Sequence, residues 1–151
     1  MSATRGNPPT RVWPALLVAA LAAVPATAQT VPERQVQDQL QVIANDLAPQ
    51  GWRYAGNPFT GELEKGEEET LRVALRAGTP YALVALCNKD CHDVEVTVLG
   101  EDEAVLAKSD GRSARPLLEV NPTVTGKYRV VVRMAHCGTG PCAYGVAVFM
   151  K

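Results

Sequence analysis

The chain has 151 residues, 46% of them hydrophobic, and 15 Lys and Arg stand against 16 Asp and Glu. That length suits one domain with one core. A net charge of -1 argues against nucleic acid, whose phosphates need a concentrated basic face, and against a basic membrane-binding patch.

The N-terminus reads as a secretory signal peptide over residues 1–28. MSATRGNPPTR carries Arg5 and Arg11 and no acids, WPALLVAALAAVPA is apolar, and Ala26-Thr27-Ala28 supplies a small-x-small end. The apolar run falls short of the roughly 20 residues of a comfortable membrane span. Polar VPERQVQDQ follows without a stop-transfer pattern. Cleavage after Ala28 is expected, with an uncleaved anchor as the alternative. No cysteine lies near that point to carry a lipid. Loss of Arg5 and Arg11 leaves 13 basic against 16 acidic residues, a net charge of -3, and no membrane span. The expected location is the periplasm or the outside of the cell, where disulfides form.

Residues 29–50 are expected to hold an amphipathic helix. Within 31–48, Val36, Leu40, Ile43 and Leu47 recur at steps of four, three and four and share one face. Pro32 suits the first turn, and Pro49 with Gly51 ends the segment. Three apolar intervals are few for a coiled coil. Packing on the domain behind is therefore preferred to pairing with another chain, and a monomer or weak dimer is expected. APQGWRYAGNP, centred on 51–58, reads as a linker, with Trp52 and Tyr54 covering a domain edge or forming a surface aromatic patch.

From Gly51 onward the pattern changes to period two. TLRVALRA alternates Leu71, Val73 and Leu75 with Arg72, Ala74 and Arg76, a half-buried strand. YALVALC is nearly all apolar, as an interior strand would be. DVEVTVLG alternates again, and AVLAK, PLLEV, KYRVVVRMA and CAYGVAVFM follow. Tyr128, Val130, Val132 and Met134 fall on one face. Turn signals at Asp110-Gly111, Asn121-Pro122 and Thr125-Gly126 separate these runs. Several short strands without helices between them imply an all-β, antiparallel sandwich over 59–151, preceded by the single helix.

From about Phe59 the chain resembles the bacterial pre-peptidase C-terminal (PPC) domain family, a jelly-roll-like β-sandwich. The resemblance rests on Gly61-Glu62-Leu63, Ala77-Gly78-Thr79-Pro80-Tyr81, Asp93-Val94-Glu95-Val96, Asp110 and Thr125-Gly126-Lys127-Tyr128, the last followed by Arg129 and three valines. It covers roughly 90 residues, one sandwich domain. It implies a non-catalytic module, of the kind appended to secreted proteases, here in a stand-alone exported form with two cysteine pairs. Glu95 departs from the family's second aspartate, and Asn88 is an uncharged residue in the cysteine loop.

Four cysteines allow three pairings. Cys87 and Cys91 bracket one hairpin-like turn, and Cys137 and Cys142 another. Local pairing, Cys87–Cys91 with Cys137–Cys142, is preferred, and each closed loop would contribute roughly 2 kcal/mol. A cross-linked version tying the two turns together stays open. Two metal readings compete with structural disulfides. Asn88, Asp90, Asp93 and Glu95 offer the hard oxygens calcium needs, without the spacing of an EF-hand. His92, Met134 and His136, with the cysteines, offer soft donors for copper or zinc. A redox dithiol lacks the Cys-x-x-Cys spacing.

Catalysis is not expected. Ser109 and Ser113 lie in a turn with no visible base, and Glu101, Asp102 and Glu103 read as a solvated turn. The expectation is an exported binding or structural module, needing no cofactor, that acts on an unknown protein or surface polymer. A periplasmic metal-binding protein is the alternative.

Overall fold

A computed structural model describes residues 28–151 of the chain, so the leader expected over 1–28 lies, but for its last residue, outside the described residues. The first element is α1, Val31–Leu47. Thr30 starts it with a capping box: its Oγ1 accepts from Glu33 N–H at 3.3 Å, and Glu33 Oε2 accepts from Thr30 N–H at 2.8 Å. A short 3-10 turn, Ala48–Gln50, and left-handed Gly51 (φ 88°) end it. Among the described residues no helix is long and apolar enough to cross a membrane.

Nine strands follow: β1 Arg53–Tyr54, β2 Phe59–Leu63, β3 Glu68–Leu75, β4 Tyr81–Cys87, β5 Cys91–Leu99, β6 Val105–Lys108, β7 Leu117–Val120, β8 Gly126–Cys137 and β9 Cys142–Met150. All pairings are antiparallel. Sheet I runs β1-β9-β4-β7, with β2 also on β9; sheet II runs β3-β8-β5-β6. The result is an all-β sandwich with one helix before it.

The inner faces of the two sheets make the main core. Leu71 and Leu75 of β3, Leu83 of β4, Val94, Val96 and Val98 of β5, and Tyr128, Val130, Val132 and Met134 of β8 meet there. The alternation in β5 and β8 follows from this single buried face. β4 is buried at every residue because its other face, with that of β9, is covered by α1. Val36 and Leu40 pack there on Ala82, Val84, Leu86, Ala143, Ala147 and Phe149. Gly145 of β9 gives the helix room: a Cβ there would stand 2.5 Å from Val36 Cγ1. The protein thus has three layers, helix on sheet on sheet, and the helix packs on its own domain.

The stretch 51–58, expected as a linker, is part of this assembly. Arg53 and Tyr54 pair with Met150 and Phe149 at the edge of β9. Tyr54 stacks on Phe149 with ring centres 4.7 Å apart, and its hydroxyl donates to Leu40 O. Burial raises the Tyr54 pKa. Trp52 packs into the same helix–sheet cluster, and Lys151 Nζ lies 5.7 Å from its ring centre. These aromatics therefore cover a domain edge and form no open patch.

Candidate functional site

Both cysteine pairs are disulfides in the local connectivity, Cys87–Cys91 and Cys137–Cys142, and no described cysteine is free. The turns they close are not hairpins. β4 and β9 belong to sheet I, whereas β5 and β8 belong to sheet II. Each disulfide therefore spans a corner where the chain passes between sheets. The two corners adjoin, because Cys91 and Cys137 are cross-strand partners and Gly138 N–H donates to Asp90 O. Sequence spacing showed the closeness of each pair but not which sheet its strands would join.

The hard-oxygen set at this end is divided among separate tasks. Asp93 Oδ1 accepts from Ser113 N–H at 3.1 Å and holds the segment before β7. Glu95 pairs with Arg133, 3.1 Å away, on the outer face of sheet II, where Arg133 also meets Glu68 at 3.6 Å. Asp90 stays in the turn. Asn88 is buried, and its Oδ1 has no hydrogen-bond partner. Among the described residues, no three His, Cys, Asp or Glu side chains form a group that could hold a metal. The soft-donor set is divided too. Met134 points into the main core, and the cysteine sulfurs are committed to disulfides. His92 and His136 do come together, with ring centres 5.5 Å apart.

Among the described residues, Ser109 and Ser113 bond to backbone rather than to a base: Ser109 Oγ accepts from Val96 N–H and Ser113 Oγ from Arg115 N–H. Asp102 Oδ1 accepts from Ala104 N–H, and Glu103 pairs with Arg129. One strongly perturbed group is structural. Tyr144, buried on β9, donates its hydroxyl to Glu69 Oε2, and burial with that carboxylate pushes its pKa well above the usual 10.0. Its ring lies so close over Gly61 that a Cβ there would stand 2.8 Å from it.

Sequence reasoning missed a different surface. Of six large hydrophobic residues exposed among the described residues, four lie on β6, β7 or the loop after β7: Val105 (59% exposed), Leu106 (38%), Leu117 (58%) and Val124 (66%). β6 and β7 are the outermost strands of their sheets and adjoin. A register shift between Val98 and Leu99 makes Leu106 the extra residue of β6, without a cross-strand partner. Such bulges re-aim side chains at sheet edges. Leu106 and Val124 both line a cleft of about 390 Å³, as do the charged Glu101 and Lys127. The loop that carries Val124 is pinned at three points. Gly78 N–H donates to Pro122 O, Ala77 N–H to Thr125 Oγ1, and Tyr128 hydroxyl to Val124 O. The available signal was the adjacent pairs Val105-Leu106 and Leu117-Leu118. On a two-fold strand, one residue of each such pair must face away from the core.

No protein-family model matches this chain. No curated protein matches it in sequence. Solved structures do share its fold. The pre-peptidase C-terminal domain of a collagenase from Bacillus anthracis aligns with a TM-score of 0.50 at 15% identity, over 61% of this chain and 87% of that one. A periplasmic inhibitor of g-type lysozyme from Aeromonas hydrophila aligns with a TM-score of 0.47 at 14% identity, over 63% of this chain and 85% of that one. The sandwich is therefore PPC-like in fold.

Proposed function

We propose that the protein is an exported, non-catalytic binding module that engages a protein partner through the rim formed by β6, β7 and the 121–125 loop. The observation that carries this reading is the exposure of Val105, Leu106, Leu117 and Val124 along this edge, with Leu106 and Val124 in one cleft, on a chain that covers its other apolar sheet face with α1. Exposed apolar clusters rimmed by polar groups mark interaction sites. The pinned loop supports it further. An anchor held rigid before binding loses little conformational entropy when the partner arrives. The short edge strands add free backbone groups that an extended partner segment could pair with. The two corner disulfides suit an oxidising compartment. Ser109, Ser113 and Asp102 are occupied in backbone hydrogen bonds and Glu103 in an ion pair, which favours binding over chemistry.

The experiment is affinity capture from the envelope and extracellular fractions of the producing cell, followed by binding of the purified partner. Wild-type protein is compared with a Leu106→Asp, Val124→Asp double variant of unchanged fold. A partner bound at least tenfold more weakly by the variant supports the reading. Equal binding by both proteins contradicts it.

A further inference from the structure

At the stapled end, the register of β5 against β8 shifts twice, between Cys91 and Asp93 and again between Asp93 and Val94. The first shift makes His92 the extra residue of its strand, beside the step from Cys137 to His136. The second frees Ala135. His92 is exposed and His136 partly so, and their rings lie 5.5 Å apart, centre to centre, with planes inclined by 36°. Each histidine directly adjoins a disulfide cysteine, Cys91 and Cys137 respectively, so both backbones are held by a closed corner. Neither imidazole donates or accepts a side-chain hydrogen bond to another described residue, by contrast with Asp93 and Glu95 alongside.

We propose that His92 and His136 form a two-imidazole site for a divalent transition-metal ion such as Cu²⁺ or Zn²⁺. The separation fits. With metal–nitrogen bonds of about 2.0–2.1 Å, each ring centre lies about 3.2 Å from the metal, and two rings at a near-tetrahedral angle stand about 5.2 Å apart. The observed 5.5 Å lies within a few tenths of an ångström of that value. The donor set also fixes the class of ion. Met134 is in the core and the thiols are oxidised, so Cu⁺ has no soft ligands here. Asp93 and Glu95 are engaged elsewhere, and no three acid or histidine side chains converge among the described residues, so Ca²⁺ has no hard cage. Imidazole nitrogens suit the borderline ions between these classes, with Cu²⁺ bound more tightly than Zn²⁺. Two protein ligands leave the remaining coordination positions to water or to a donor from outside the chain.

The test is a calorimetric titration of the untagged, disulfide-intact protein with Cu²⁺ and separately with Zn²⁺. Imidazole proton resonances are followed in parallel. It is repeated for His92→Asn and His136→Asn, with circular dichroism confirming that each variant keeps its fold. The expected result is one equivalent of metal, the resonances of His92 and His136 perturbed first, and affinity at least tenfold lower in each variant. Excess Ca²⁺ should leave binding unchanged. No uptake at millimolar metal, or uptake that either variant leaves intact, overturns the proposal. The titration needs no protein partner, so its outcome is independent of the rim reading above.

Discussion

Two apolar surfaces lie outside the main core, and the chain treats them differently. One is the outer face of sheet I, where Ala82, Val84, Leu86, Ala143, Ala147 and Phe149 are covered by Val36 and Leu40 of α1. The other is the rim of β6, β7 and the loop after β7, where Val105, Leu106, Leu117 and Val124 are exposed and Leu106 and Val124 share a cleft. The covered surface is knitted into the fold by a helix, a glycine that admits it, and a tyrosine that bonds back to Leu40 O. The rim is held in shape by hydrogen bonds beneath it, yet its side chains face water. A surface that is both apolar and pre-shaped, and that contributes little to the core, is better explained by a partner than by stability.

The contrast can be broken at the covered side first. Leu40→Ala removes the central helix contact and should destabilise the protein by about 3 kcal/mol, read from equilibrium denaturation. Gly145→Val should cost about 2 kcal/mol, because the added branch meets Val36 and Leu40 and the helix must lift from β9. Early hydrogen exchange in α1 alone would mark the lifting. If both variants matched wild type, the helix would be an appendage and the contrast would fail.

Tyr144→Phe probes the other face of the same strand, with an expected loss of about 1 kcal/mol. Its pH dependence follows from the raised pKa. The folded state keeps the hydroxyl proton that the unfolded chain releases near 10.0. The stabilisation is therefore complete below that pH and is lost as pH rises above it. Tyr144→Phe should flatten this part of the alkaline decline; the half-buried Tyr54, whose pKa is also raised, keeps a share of it. The smallest effect belongs to the rim. Leu106→Asp with Val124→Asp should change stability by no more than about 0.5 kcal/mol, since exposed positions away from caps and cores seldom matter more.

Much of the architecture was legible in the sequence because each pattern had one physical cause. The four-three-four spacing of Val36, Leu40, Ile43 and Leu47 needs a single buried helix face. The alternation of Val94, Val96 and Val98 needs one solvated sheet face. The unbroken YALVALC needs two covered faces, and the helix supplies the second. What stayed hidden depends on partners distant in sequence. β1 forms only because Phe149 and Met150 offer it an edge. The cysteine turns looked like hairpins because local spacing does not reveal a change of sheet. The closeness of His92 and His136 depends on two corners meeting at one end and on a register shift, neither of which residue types alone encode. The rim was missed for a simpler reason. On a short two-fold strand, residue types alone do not say which of two neighbouring apolar side chains faces the core.

The most direct measurement places a photo-crosslinking residue at position 124 of one protein and at position 42 of another. Val42 is comparably exposed, at 59%, but lies on the solvent side of α1 and belongs to neither edge strand nor the 121–125 loop. Each protein is irradiated in the envelope fraction of the producing cell. A discrete protein adduct from position 124, absent from position 42, is the expected result. Adducts of equal yield at both positions, or none at 124, would contradict the assignment of the uncovered surface to a partner.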